Sequence, residues 1–163
     1  MIRDARFADI PAILMLLQEG YARSHYAKEG RASIDVKEAK RLLFNAIQRH
    51  GGQTGGSCWV QVSEANGTVC GLIAGTLARP YMIGTGLMAT DLFWLAGTGC
   101  PVGDAFRLMR GMIEWATAKP DVIEIRCGTT AAIQARFSWQ GILPGRIWQP
   151  WSVLTTDTSR PRD

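Results

Sequence analysis

An apolar run of strand length, a glycine-rich loop and an amphipathic helix follow one another in the middle of this sequence. The run spans 91–96, the loop 97–103 holds three glycines and one proline, and apolar residues recur at helical spacing from Ala105 to Ala116. Such a unit constrains the fold because it places a helix start at the carboxyl end of a strand. Free backbone N–H groups and the positive end of the helix dipole meet there, which suits a phosphate. We therefore predict a ligand site at this loop.

Length and composition fit one globular domain. The chain has 163 residues, of which 47% are hydrophobic and 20% charged, a balance that supports a buried core and excludes general disorder. We predict a single domain over 1–155 and a polar C-terminal tail over 156–163. No run is apolar for long enough to cross a membrane, and the first residues do not form a signal peptide. A soluble cytoplasmic protein without a membrane partner is expected.

The cysteines, histidines and basic residues do not form a recognisable site. The four cysteines and two histidines lack the spacing of metal ligands, and three of the cysteines lie in apolar, strand-like segments. We predict buried thiols, with neither a metal nor disulfides. The net charge of +4 favours an anionic ligand, but the basic residues are scattered along the chain. No nucleic-acid partner is therefore expected.

Periodicity and turn signals predict the remaining elements. Asp9 and Asp35 precede apolar helical patterns and are predicted helix caps, with Glu38 completing a capping-box pattern after Asp35. Asn66-Gly67 predicts a tight hairpin turn, and the glycines in the following strand predict a bulge or a close backbone approach. The predicted order is β-α-α-β-β-β-α-β-α-β, with elements near 2–5, 9–21, 35–47, 58–64, 69–78, 91–96, 104–119, 122–127, 130–139 and 146–155.

Three stretches, together with this order, carry a resemblance to a known family. Ile2–Ile13 is similar to the family's opening strand, Ala-polar-aromatic-polar-Asp-Ile motif and helix, and Ala135–Gly145 resembles its helix that ends in Gly-Phe. Arg107–Ala116 also resembles a helix of acetyltransferase-like proteins of tailed phages. The family is the GCN5-related N-acetyltransferase (GNAT) superfamily. The resemblance implies an α/β (α+β) fold: a mixed, mostly antiparallel sheet of six to seven strands, a central parallel pair splayed at the cofactor site, and four helices.

The resemblance also places a coenzyme loop. The family's loop has the pattern Arg/Gln-x-x-Gly-x-Gly/Ala, and its backbone amides hold the pyrophosphate of coenzyme A. With the last glycine set on Gly103, Thr98 takes the first position and Pro101 takes that of the middle glycine. A slipped register, with Gly97 and Gly99 as the loop glycines, stays open.

Two residues depart from the family's loop pattern. Pro101 has no N–H to donate, and the carboxylate of Asp104 is expected to accept from the loop amides itself and to repel a pyrophosphate. Both features weaken the expectation of coenzyme binding. The resemblance implies acetyl-CoA as the acyl donor, and the candidate binding residues are Leu95, Ala96, Gly97, Thr98, Gly99, Val102, Gly103, Asp104 and Ala105.

Transfer of an acyl group to an amine needs a proton acceptor for the amine and a proton for the departing thiolate. By resemblance, Asp91 at the start of the strand before the loop is the first candidate acceptor, and Glu124 on the neighbouring strand is the second. Each has an alternative interpretation as a polar strand residue that faces solvent. The tyrosine that many members use as the acid would fall near Phe137 or Ser138, and neither is a tyrosine.

The resemblance implies an N-acyltransferase that moves an acetyl group from acetyl-CoA to a primary amine of a small molecule or a protein. The alternative is a non-catalytic relative that serves as an interaction module, or as a virion-associated protein if the gene is phage-borne; Pro101, Asp104 and the missing tyrosine favour it. An unrelated α/β binding domain is the third hypothesis. Trp148 and Trp151, which flank Pro150, are a candidate homodimer contact.

Overall fold

The computed structural model describes residues 1–24, 26–27, 30 and 32–127. Within this part, five strands form one sheet in the order β1-β2-β3-β4-β5. All neighbouring strands are antiparallel except β4 and β5, which are parallel. The strands are β1 (Ile2–Asp4), β2 (Cys58–Ala65), β3 (Thr68–Ala78), β4 (Leu87–Ala96) and β5 (Val122–Arg126).

Three helices cover the sheet: α1 (Ile10–Ala22), α2 (Val36–Gln48) and α3 (Asp104–Thr117). The expected mixed α+β class and the mostly antiparallel sheet are confirmed. The predicted counts of six to seven strands and four helices are not matched by the five strands and three helices of the described residues. The predicted helix at 130–139, the last strand at 146–155 with its candidate dimer contact, and the domain boundary at 155 all lie outside those residues.

The sheet has a hydrophobic core on each face because β3 is central and alternates between them. Leu72 packs on the side of α1 and α2, and its neighbour Ile73 packs on the side of α3. Both side chains are fully buried. This explains the nearly continuous apolar sequence of β3, which is typical of a strand buried on both faces. No helix in the described part of the chain is long and apolar enough to cross a membrane.

The local turn and cap signals are confirmed at two positions. Asn66 and Gly67 adopt φ values of 51° and 75°, which are the positive angles that a tight hairpin turn requires. Asp35 stands before α2, and its Oδ1 accepts from the backbone N–H of Glu38 at 3.0 Å. Residues close in sequence fix both features, so the amino-acid pattern is enough to predict them.

The carboxylate of Asp9 does not cap α1, in contrast to the prediction. It accepts from Nη1 and Nη2 of Arg3 at 2.7 and 2.9 Å, and from the backbone N–H of Arg6 at 2.7 Å. A bidentate guanidinium is a stronger partner than a helix amide, and it lies in β1, next to the start of α1. Asp9 therefore ties the first strand to the first helix.

This ion pair predicts a pH-dependent stability. The hydrogen bonds from Arg3 lower the pKa of Asp9, so its carboxylate stabilises the fold above the unfolded-state pKa of about 3.9, and this stabilisation is lost as pH falls through the lower folded-state value. We expect Asp9→Asn to lower the free energy of unfolding by about 1–3 kcal/mol at neutral pH. Urea titrations of both proteins should show the difference shrinking in acid. A difference that stays constant with pH would contradict the assignment.

Candidate functional site

The strands β4 and β5 pair over only the first part of β4. Their last paired residues are Thr90 and Arg126; β5 ends there, whereas β4 continues to Ala96. On its other side β4 stays paired with β3 along this length. Beyond Thr90, no strand of the described residues pairs with β4 on the β5 side. The prediction that these two strands are parallel neighbours is confirmed. We call residues 91–96 of β4, whose β5 side no strand of the described residues covers, the gap.

A β-bulge lies at the beginning of this gap. Gly75 of β3 pairs with Asp91 and Ala74 pairs with Phe93, so Leu92 is an extra residue in β4. A bulge bends and twists its strand, and this one lies directly after the last residue of β4 that pairs with β5. A Cβ on Gly75 would lie 2.4 Å from the sulfur of a methionine of α3, so the backbone approaches that helix closely. The glycine signal in β3 is thus confirmed.

The sequence predicted Asp91 at the start of its strand. In the structure it lies in the middle of β4. The strand begins earlier because Met88–Thr90 already pair with β3. By alternation Asp91 lies on the same face as Ala89, which packs toward α3. The charge of Asp91 affects the thiol of Cys127, which follows β5. Burial raises the pKa of this thiol most, the charge of Asp91 raises it further, and the pKa reaches about 12. This thiol is therefore protonated at neutral pH and is a poor nucleophile.

Glu124 lies on the opposite face of the sheet. Its neighbour Ile125 is buried in the core beneath α3, so alternation directs Glu124 away from that helix. Its Oε1 accepts from Nε of Arg126 at 2.7 Å. Asp91 and Glu124 thus lie on neighbouring strands but on opposite faces of the sheet. Their catalytic roles stay predictions.

The loop between β4 and α3 depends on glycine at three positions for two reasons. Gly99 and Gly103 have φ values of 83° and 89°, in the left-handed region that favours glycine. Gly97 instead permits close packing, since a Cβ there would lie 2.6 Å from Cδ2 of Leu16 in α1. The predicted loop is therefore fixed at its start by α1 and turns sharply into α3.

The backbone amides of the loop fall into two groups. The N–H of Gly97 donates to the carbonyl of Cys70 in β3 at 2.8 Å, and the N–H groups of Cys100 and Asp104 donate within the loop. No backbone carbonyl of the described residues accepts from a second group of amides, those of Thr98, Gly99, Val102 and Gly103. Thr98, Gly99, Val102 and Gly103 are thus the candidate binding residues whose amides have no backbone acceptor among the described residues.

Asp104 does not bind the loop amides, which corrects the sequence-based expectation. It is the first residue of α3, after Gly103 at the N-cap, and its side chain makes no capping hydrogen bond. Its Oδ2 accepts from Oγ of Ser63 at 2.6 Å, and its Oδ1 accepts from Nη1 of Arg107 at 3.1 Å. Ser63 is fully buried in β2 and needs a partner, so it draws the carboxylate into the fold. A lone serine in a strand gives no sequence signal of this contact.

We expect Asp104→Ala to destabilise the protein and not to tighten coenzyme binding. The substitution leaves the hydroxyl of Ser63 without its acceptor, and the free energy of unfolding should fall by about 1–3 kcal/mol. Adding Ser63→Ala should recover part of that loss, because both polar partners are then absent. Urea unfolding measures the effect, with Arg107→Ala as the control for the exposed half of the contact. Parent-like stability of Asp104→Ala would contradict this assignment.

The described residues hold no group of three or more His, Cys, Asp or Glu side chains that could bind a metal ion. The candidate site thus consists of three parts: the gap in β4, the loop with its second group of amides, and the carboxylate of Asp91 at the gap. The other candidate binding residues, Leu95, Ala96 and Ala105, lie at the end of β4 and in the first turn of α3. Their roles toward a ligand stay predictions.

Several solved structures are similar in fold to this chain. No protein-family model and no curated protein match the sequence. Among solved structures, a ribosomal-protein-alanine N-acetyltransferase from Brucella melitensis biovar Abortus 2308 is similar with a TM-score of 0.57 and 13% identity, over 94% of this chain and 96% of that one. An acetyltransferase from Vibrio fischeri has a TM-score of 0.54 and 23% identity, over 78% of this chain and 93% of that one.

A third similar structure contains a ligand. The PaiA N-acetyltransferase from Thermoplasma acidophilum, solved in complex with coenzyme A, has a TM-score of 0.50 and 18% identity, over 70% of this chain and 69% of that one. At such identities the likeness concerns the fold. The chain thus shares its fold with solved N-acetyltransferases, which is the fold that the resemblance to the GCN5-related N-acetyltransferase superfamily implied.

Proposed function

We propose that the protein is an N-acyltransferase that transfers the acetyl group of acetyl-CoA to a primary amine. The observation that carries the proposal is that the parallel pairing with β5 ends at Thr90 while β4 continues to Ala96. The pantetheine arm of coenzyme A is narrow and contains two amide groups. It would hydrogen-bond to the edge of β4 that no described strand covers, in the way that an added strand does.

The loop supports the proposal at the phosphate end of the coenzyme. The amides of Gly99, Val102 and Gly103 and the N-terminus of α3 would face the pyrophosphate. Arg107, in the first turn of α3, has a side chain that is 70% exposed and would contact the phosphates, although its charge is partly balanced by its ion pair with Asp104. Pro101 removes one donor, so binding should rest on fewer amides than the family's pattern provides.

The chemistry requires the amine to lose its proton as its nitrogen attacks the thioester carbon. The new C–N bond forms, the C–S bond breaks, and coenzyme A leaves as a thiolate. Asp91 is the proposed proton acceptor, through a water molecule, because it is a carboxylate at the gap. Cys127 has a pKa of about 12 and is too weak an acid to protonate the leaving thiolate. We propose that the thiolate takes its proton from solvent.

A second candidate is a non-catalytic relative with the same fold. It is favoured by Pro101, which stands where the family's pattern has a glycine whose N–H would face the pyrophosphate. Such a protein would serve as an interaction module and would need no acyl acceptor. The two candidates differ in whether acetyl-CoA is consumed.

The test is the release of free thiol from acetyl-CoA in the presence of three acceptor classes: a peptide with an N-terminal alanine, a lysine-containing peptide and a small aliphatic amine. We expect release that depends on one of these acceptors and exceeds the rate without acceptor, with mass spectrometry showing the acetylated product. Coenzyme binding with no acceptor-dependent release for any class would favour the non-catalytic candidate.

A further inference from the structure

Two cysteine thiols meet where the loop lies against the sheet. Cys70 is in β3 and 5% exposed, and Cys100 is in the loop and partly exposed. The thiol of Cys70 lies 3.4 Å from the carbonyl oxygen of Ser63 and 3.7 Å from its Oγ. Cys70 and Ser63 both act on the pKa of the Cys100 thiol, Cys70 raising it and Ser63 lowering it. Both sulfurs lie beside Ser63, although 30 positions of sequence separate the two cysteines.

Gly71 makes this approach possible. A Cβ at that position would lie 3.1 Å from Sγ of Cys100 and 3.1 Å from Cβ of Ser63, so a larger residue would push the loop outward. The thiol of Cys100 thus fills the space above Gly71, next to Cys70. Cysteine spacing gave no sign of this pair, because the contact depends on the return of the loop across the end of β3.

We propose that Cys70 and Cys100 form a redox-active pair, and that their oxidation to a disulfide ties the loop between β4 and α3 to β3. The other two thiols have different surroundings. Cys58 contacts Gly56 and Thr76 at the far end of the sheet, and Cys127 faces Asp91. The loop that would hold the coenzyme phosphates is therefore the segment that oxidation would restrain.

The reaction needs a two-electron oxidant, for which hydrogen peroxide serves. The Cys100 thiolate attacks one peroxide oxygen, the O–O bond breaks, and a sulfenic acid and water result. The Cys70 thiolate then attacks the sulfenic sulfur, the S–S bond forms, and a second water leaves. In total two thiols lose two electrons and two protons, and one peroxide becomes two waters. Cys100 reacts first because it is the partly exposed thiol.

The surroundings of Cys100 set the rate of this reaction. Burial, the neighbouring Cys70 thiol and the carboxylate of Asp104 all raise its pKa, so the reactive thiolate is scarce at neutral pH. Oxidation should be slow there and should quicken by about tenfold per pH unit, as the thiolate fraction does well below the pKa.

The experiment treats the reduced, full-length protein with hydrogen peroxide and records its intact mass. We expect a loss of about 2 Da, and proteolysis without reductant should yield one linked pair of peptides that contain Cys70 and Cys100. Cys100→Ser, and independently Cys70→Ala, should abolish the linked pair, whereas Cys58→Ser should retain it. Gains of about 16 or 32 Da without a link, or links that join other cysteines, would overturn the proposal.

A functional consequence rests additionally on the proposed acyltransferase activity. If the loop binds the coenzyme, the oxidised protein should bind acetyl-CoA more weakly, because a loop held at β3 adjusts less to the phosphates, and dithiothreitol should restore the affinity. The mass and peptide results do not involve the coenzyme. A linked protein that never binds acetyl-CoA would therefore contradict the proposed function alone, and an unlinked protein that binds it would contradict the redox pair alone.

Discussion

Replacing Asp91 by asparagine is expected to lower the turnover number of acetyl transfer by about 10²-fold or more. The amide keeps the size of the side chain but cannot accept the proton that the amine releases. Because Asp91 lies at the gap and not in the loop, the affinity for acetyl-CoA should stay close to that of the parent. Steady-state kinetics with the best acceptor, together with a coenzyme titration, separate the two effects.

Two further variants sharpen this result. Glu114→Gln removes an exposed carboxylate of α3, whose side chain is 64% exposed and paired with Arg110, and should keep parent turnover. Glu124→Gln tests the carboxylate on the opposite face of the sheet. Loss of turnover in Glu124→Gln with parent activity in Asp91→Asn would move the role of proton acceptor to Glu124. Parent-like turnover in both would show that water accepts the proton and that positioning alone drives the reaction.

The substitution Leu108→Ala is expected to lower the free energy of unfolding by about 2–5 kcal/mol. Leu108 is fully buried between α3 and the sheet, where its Cδ1 would lie 3.3 Å from a Cβ placed on Gly71. Its truncation leaves a cavity under the first turns of α3, the helix whose start carries the candidate anion site. Because α3 is then packed less firmly against the sheet, acetyl-CoA binding should also weaken.

The matched control for Leu108→Ala is Val102→Ala. Val102 belongs to the same loop-helix unit but is fully exposed, so its truncation should change stability by no more than about 0.5 kcal/mol. Urea unfolding of the three proteins at one pH provides the comparison. A loss below about 1 kcal/mol for Leu108→Ala would show that α3 is not held to the sheet by this contact.

The elements that sequence predicted correctly are those that neighbouring residues determine. Asn66-Gly67 fixes its hairpin turn, Asp35 caps α2 through Glu38, and a crossover of helix length between two apolar strands requires β4 and β5 to be parallel. These relations hold within a few residues or follow from the rules of chain connection. The family resemblance added the expectation that the two strands would splay, which stays a prediction.

The predictions that failed concern the positions and partners of carboxylates. Asp104 was expected at the loop amides, but its partner is Ser63, 41 positions away in β2. Asp91 was expected at a strand start, but Met88–Thr90 already pair with β3, and the sequence does not show this pairing. The energy of a buried hydrogen bond exceeds that of a local cap, so tertiary contacts decided where these charges point.

The most direct test of the proposed function is a calorimetric titration of the reduced protein with acetyl-CoA, accompanied by thermal unfolding in its presence. The account predicts saturable binding of one coenzyme per chain. At a free concentration one hundred times the dissociation constant, the coenzyme should raise the free energy of unfolding by about 2.7 kcal/mol. The absence of binding heat and of any rise in melting temperature at millimolar acetyl-CoA would contradict the acyltransferase assignment.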